Sequence, residues 1–217
     1  MKKSIGRLIT IALLTCMVAA PAFAAGDKVR GDKAAGPAGE SGQGLVKANR
    51  GNDPGAECLA AGTLSGEEAA HIQYIRMEEK LARDVYLSLY NHYAPDPLQA
   101  NIFLNISNSE QRHMDKVKAL MERYGIDDPV EDDTVGVFPD TEDNFAAQYE
   151  ELVLQGEESY CRALETGVLI EELDIDDIDE ALLDVTAPDV GRVLTHLQNG
   201  SYNHLNAYTG RIALNCQ

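Results

Sequence analysis

Tryptophan is absent from this chain of 217 residues, and aromatic residues make up only 6% of it. Stretches in which Val, Ile and Thr alternate with polar residues are scarce, so β-strands have little support. No internal repeat of fixed period is visible. Positive charge is in short supply: 18 Lys and Arg face 36 Asp and Glu, a formal charge of −18. That balance opposes binding to nucleic acid or to an anionic membrane surface, and it suits cations. Solubility alone would also account for it. The four cysteines do not have the spacing of a thiolate zinc site. The acidic run from Asp174 to Glu180 lacks the glycine and spacing of a calcium loop and reads as a solvated face.

A long apolar run is also missing. The one candidate, Leu8 to Ala20, is too short and too close to the N-terminus for a good membrane anchor. With Lys2, Lys3 and Arg7 before it and Ala22-Phe23-Ala24 after it, residues 1–24 read as a secretory signal peptide cleaved after Ala24. The apolar segment continues past Cys16, which weighs against a lipoprotein site there. Export to a periplasm or secretion is expected, with no transmembrane segment left in the mature chain. Cleavage removes three positive charges and takes the formal charge from −18 to −21. It leaves Cys58, Cys161 and Cys216, enough in an oxidising compartment for one disulfide and one leftover thiol. Residues 25–60, rich in Gly and Ala with little apolar material, read as a disordered tether. Residues 61–217 have the size of one domain.

What is abundant is helix signal. Ser65-Gly-Glu-Glu68 is a capping box, followed by Ile72, Ile75, Ala82, Val85 and Leu89 at helical spacing to about Tyr93. Asp96-Pro97 opens a second helix, striped by Ile102, Ile106, Val117, Leu120 and Tyr124 and closed by Gly125. Thr141 is placed to cap a short helix over residues 142–155. A third long helix is expected from about 157 to 184, and a fourth from Thr186-Ala-Pro-Asp189 to about Ala213. Two hairpins with short turns and a long link at about 126–156 predict an all-α, four-helix bundle with one long crossover, the ferritin-like arrangement.

Bundles of that kind hold two metals with a Glu from each of two helices and Glu-x-x-His from each of the other two. The second helix offers Glu110-Gln-Arg-His113. Ile106, Glu110, His113 and Val117 share one face, so the polar pair interrupts an apolar stripe. Buried without a partner, such groups are costly, and together they suit iron, manganese or zinc. The first helix offers Glu78 and Glu79, which periodicity does not separate. In the third, Glu171 lies in the stripe of Leu164, Val168, Ile175, Ile178 and Leu182, with Asp174 three residues further on. The fourth has Leu197, Ser201, His204 and Tyr208 in line: the His is present, but Ser201 stands where a second Glu is expected. Each position lies roughly 20 Å from its own turn at about 1.5 Å per residue, so all four meet near mid-bundle. His71, His92 and His196 read as ordinary surface histidines.

The first-helix run Glu79-Lys-Leu-Ala82-Arg-Asp-Val-Tyr86 resembles that of rubrerythrin-like ferritins, which favours Glu79 over Glu78. "EEKLARDVY", "NISNSEQRHMDKV", "GVLIEELDIDDID" and "GSYNHLNAY" more closely resemble an uncharacterised bacterial and archaeal family of ferritin-like proteins, known as domain of unknown function 2202. The match spans about residues 64–210. The resemblance implies a ferritin-like fold but no established activity. The wider ferritin-like group implies di-iron chemistry with ligands at Glu79, Glu110, His113, Glu171 and His204. One bridging carboxylate is then missing at Ser201, and Asp174 is the candidate to replace it.

The expectation is an exported metal-binding bundle, with iron foremost, that acts as a ferroxidase or as an oxidase using dioxygen or peroxide. The alternative is a non-catalytic divalent-metal buffer or envelope scaffold with a degenerate site. Tyr86 and Tyr208 are candidate redox side chains, with core packing as their simpler role. A homo-oligomer is left open, and no cage is predicted. In a crossover bundle the start of the third long helix and the end of the fourth share an end, which favours Cys161–Cys216. Cys58–Cys216 stays open.

Overall fold

The computed structural model describes residues 62–216. The predicted leader (1–24), the predicted tether (25–60) and Cys58 lie outside the described residues. Five α-helices and no strand occur among the described residues. They are α1 (Gly66–Tyr93), α2 (Pro97–Tyr124), α3 (Phe145–Glu157), α4 (Tyr160–Asp184) and α5 (Pro188–Asn215). Among these residues no helix is long and apolar enough to cross a membrane.

The start and stop signals mostly act as expected. Ser65 and Glu68 complete the capping box of α1. Asp96 accepts a hydrogen bond from the Leu98 amide, and Gly125 ends α2 at φ 67°, where a side chain would be strained. The crossover differs in detail. The short helix starts at Phe145, not at 142, and Asn144 precedes it in the left-handed region with no side-chain cap. Ser159, accepting from the Arg162 amide, delays α4 to Tyr160. Thr186 does not cap α5; its amide and hydroxyl both donate to Glu68.

The helices pack as a bundle of two hairpins, α1 with α2 and α4 with α5. Helix α1 also packs on α4, α2 on α5, and α3 lies against α1 and α4. One end is aliphatic: Ile72, Ile75, Val117, Leu120, Met121, Ile178, Val190, Leu194 and Leu197 form a buried cluster. The other is aromatic: Tyr208 contacts Tyr86 and Phe103, and Tyr160 contacts Phe103 and Tyr93. The α1–α2 turn lies at the aromatic end and the α4–α5 turn at the aliphatic end. The connection from α2 to α4 therefore runs the length of the bundle.

Three buried charges on α1 hold that connection in place. Lys80 Nζ donates to Asp84 Oδ2 (2.6 Å) and to the Thr134 carbonyl (2.9 Å). Arg83 donates to Asp84 Oδ1 (2.8 Å), to Gln111 Oε1 (2.6 Å) and to the Asp133 carbonyl (3.2 Å). Asp84 also accepts from the Gly136 amide at 3.0 Å. Arg76 and Asp128 add a two-pronged pair at 3.1 Å. Charges this deep are tolerable because nearly every donor and acceptor finds a partner. At the far end a disulfide joins Cys161, at the start of α4, to Cys216, after α5, with Cα atoms 5.7 Å apart.

Candidate metal centre

Between the aliphatic and aromatic layers the core turns polar. Glu79 from α1, Glu110 and His113 from α2, Glu171 from α4, and Ser201 and His204 from α5 are all buried. Each sits in its helix's apolar stripe. Ile106 and Val117 are buried one turn either side of the Glu110–His113 pair, and Leu197 and Tyr208 flank Ser201 and His204. Burial separates the two acids of α1: Glu79 is 2% exposed, whereas Glu78 is half-buried and turns towards α4.

Two groups of possible ligands form, and they share one residue. Glu79, Glu110 and His113 bring one ligand atom each within 4.8 Å of one another, and so do Glu110, Glu171 and His204. Glu110 spans them. Its Oε2 lies 2.8 Å from His113 Nδ1, and its Oε1 lies 2.7 Å from His204 Nδ1. Glu79 Oε2 is 3.2 Å from His113 Nδ1, and Glu171 Oε2 is 3.4 Å from His204 Nδ1. The two imidazoles lie face to face, 5.7 Å between centroids.

His113 Nδ1 and Glu79 Oε2 form a hydrogen bond, but not every close pair here does. Glu110 Oε1 and His204 Nδ1 are close but out of line, and neither has a hydrogen-bond partner. Glu79 Oε1 and Asp174 Oδ1 are likewise buried and unpartnered. A buried acceptor left unpaired costs about 1–3 kcal/mol. The unpaired atoms of Glu79, Glu110 and His204, on facing helices, are a donor set that a cation would satisfy. Carboxylate and imidazole together suit iron, manganese or zinc.

The proton distribution follows from the crowding. Burial would raise the Glu110 carboxyl, but His113 and His204 outweigh it and hold it at about 2. Burial would lower both imidazoles, yet Glu110 with Glu79, and Glu110 with Glu171, push each up to about 10. Burial, then the nearby Asp174, drives Glu79 well above the usual carboxylate range. Burial, then Glu110, takes Glu171 to about 8. The site therefore stores protons near neutral pH, and a metal must displace them.

Asp174 belongs to neither group. Its Oδ2 accepts a hydrogen bond from Ser201 Oγ, so the residue standing where a second Glu was expected is engaged by an acid from α4. Burial of Asp174 and of His71, which pairs with Asp184 at 3.2 Å, departs from their reading as surface groups. The three-residue step from Glu171 returns Asp174 to the inner face of α4.

Two further features escaped the sequence. Tyr86, fully buried, donates to Glu171 Oε1 at 2.7 Å and fixes that carboxylate. At Gly200 an added Cβ would lie 2.4 Å from His113 Cε1 and 2.6 Å from Nε2. Gly200 thus lets the α5 backbone lie against the imidazole. The one signal for it is its place just before Ser201, since a lone glycine in a helix is otherwise a weak sign.

Residues 68–217 match a family described as an uncharacterised protein domain, DUF2202. The chain belongs to this family. It is 43% identical over 145 residues to the uncharacterised protein MJ0754 of Methanocaldococcus jannaschii, covering 67% of this chain and 75% of that protein. A crystal structure of hypothetical protein MJ0754 from Methanococcus jannaschii superposes with a TM-score of 0.65 at 41% identity, covering 70% of this chain and 83% of that one. The comparisons show the family and leave its chemistry to the site.

Proposed function

We propose that this DUF2202 protein is an exported ferritin-like bundle that holds a non-haem metal between its four long helices. The observation that carries the reading is the sharing of Glu110 by two Glu/His groups, each completed by a carboxylate from another helix. Hairpin pairing and a connection running the length of the bundle support the ferritin-like arrangement. Glu79 and His113 would hold one cation, Glu171 and His204 a second, with Glu110 between them. Iron is the proposed metal, with manganese and zinc as competitors. Bound iron supplies one-electron chemistry towards dioxygen or peroxide.

The chain's own contributions are specific. Glu110 keeps its negative charge. Tyr86 holds Glu171 in orientation. Burial excludes water, and Gly200 sets the place of the His113 ring. The acidic surface attracts divalent cations. The pattern of residues 1–24 supports export after cleavage behind Ala24, to a periplasm or beyond the cell.

Metal analysis of protein purified without added metal tests the binding, with Glu110→Ala as the control. Substantial metal in the wild type that falls to background in the variant is expected; unchanged content in Glu110→Ala would sink the site. Loading with Fe(II) under anaerobic conditions, then admitting air, tests turnover. Oxygen uptake with growth of ferric absorption supports a ferroxidase or oxidase. Ser201 favours a second reading, a non-catalytic metal buffer or scaffold, because it removes one bridging carboxylate and occupies Asp174. Iron binding without oxygen uptake would select it.

A further inference from the structure

The buried centre lies inside an intact bundle, so a cation must reach it from somewhere. A small cavity of about 30 Å³, room for one water or one bare ion, lies where α1, α3 and α4 meet. Tyr74 and Glu78 line it from α1, Gln148 and Leu152 from α3, and Asp174 and Asp177 from α4. Three carboxylates thus face one another across a space lined largely by apolar side chains. Asp174 is 8% exposed, and its Oδ1 has no partner. A buried Oε2 of Glu78 lacks one too. Glu78 and Asp177 are half-buried and Asp174 is buried, so the acids grade from the outside inwards. Asp176, Asp179 and Glu180 continue the negative charge on the exposed face of α4.

Asp174 links this cavity to the centre. Its other oxygen accepts from Ser201 on α5, and its charge acts on Glu79 and Glu110. Resting on the metal-centre reading above, we infer that this cavity is a second, weaker cation site on the route by which a divalent ion enters. Glu78 and Asp177 receive the ion, and Asp174 passes it inward. An entering ion offers these closely spaced carboxylates a common positive partner, yet two or three oxygen ligands hold it too loosely to trap it. Glu78, adjacent to Glu79 on α1, thereby acquires a role distinct from that of its neighbour. Ser201 acquires one as well: it keeps Asp174 turned towards both sites.

The test is Co(II) uptake by the metal-free full chain, followed in a stopped-flow instrument at low ionic strength, with final cobalt measured after desalting. In the double variant Glu78→Gln/Asp177→Asn, uptake should slow by about tenfold, within the range of electrostatic steering, while final cobalt per chain stays at the wild-type value. Asp177→Glu, which keeps the charge, should retain the wild-type rate. A wild-type rate in the double variant would overturn the route. So would a lower final content at an unchanged rate, because these side chains would then be ligands of the centre. If the double variant does not fold, Asp177→Asn alone is judged by the same criteria. Glu110→Ala separates the two ideas. Cobalt retained in that variant sinks the centre and the route with it; cobalt lost there, with unchanged rates in the double variant, sinks the route only.

Discussion

Glu79 and Lys80 are neighbours on α1, both buried, yet they belong to opposite kinds of polar interior. Around Lys80, Arg83 and Asp84 the donors and acceptors meet one another and the backbone of the crossover. Around Glu79 the groups converge but pair only in part: Glu79 Oε2 meets His113, while other oxygens and a ring nitrogen stay unpartnered at short range. The first cluster is complete as it stands. The second leaves carboxylate lone pairs unspent that a bound cation would take up. Buried charge by itself therefore says little about function; whether its lone pairs are spent says much more.

The contrast makes graded predictions. Asp84→Asn leaves Lys80 and Arg83 buried with a weakened partner, and should cost about 3–5 kcal/mol in urea unfolding while metal per folded chain stays constant. Loss of metal without loss of stability would reverse the assignment of the two clusters. Glu68 offers the same comparison within one helix. It accepts from the amides of Ser65, Thr186 and Ala187 and from the Thr186 hydroxyl, and those bonds hold its carboxyl down at about 2. Glu68→Gln should cost about 2 kcal/mol at neutral pH. Because the folded value lies below the ordinary one, that stabilisation is complete above about pH 4.5 and is lost as pH falls towards about 2. The gap between wild type and variant should close across that window, and a gap indifferent to pH would remove the charge from the explanation.

Smaller effects fall on the centre. Gly200→Ala must displace the His113 ring and should cost about 1–2 kcal/mol, with a clear loss of metal affinity. Unaltered affinity would mean that the ring position is unimportant. Glu79→Gln should change metal-free stability by less than about 1 kcal/mol, since burial already favours the uncharged form of that carboxyl, which Gln resembles. Metal affinity itself should rise between pH 6 and 9 in the wild type, because His113, His204 and Glu171 give up protons to bind. A pH-stat recording of proton release during cobalt titration reads this directly.

Much of this arrangement was legible because helices announce their faces. Ile106 and Val117 fix where Glu110 and His113 point, and the count from each turn fixes their height. The separation of Glu78 from Glu79 was not legible by periodicity, since both lie near an apolar face; packing against α4 parts them. Asp174 and Asp177 looked solvated because the run around them is rich in acids, and so many like charges hide which members turn inward. The Lys80–Arg83–Asp84 network depends on Thr134, Asp133 and Gly136, some fifty residues away in an irregular segment with no period to read.

The link between Cys161 and Cys216 spans 55 residues and closes α4, its turn and α5 into a covalent ring. Glu171 and His204 lie within that ring, whereas Glu79, Glu110 and His113 lie on an open strand of chain. The molecule is in this sense a hoop and a clasp: one half of the ligand set is topologically captive, and the other arrives from outside it. A single cut in the crossover would yield two fragments with a ligand set each, and Glu110, carried by the clasp, would be the group by which the hoop is recognised.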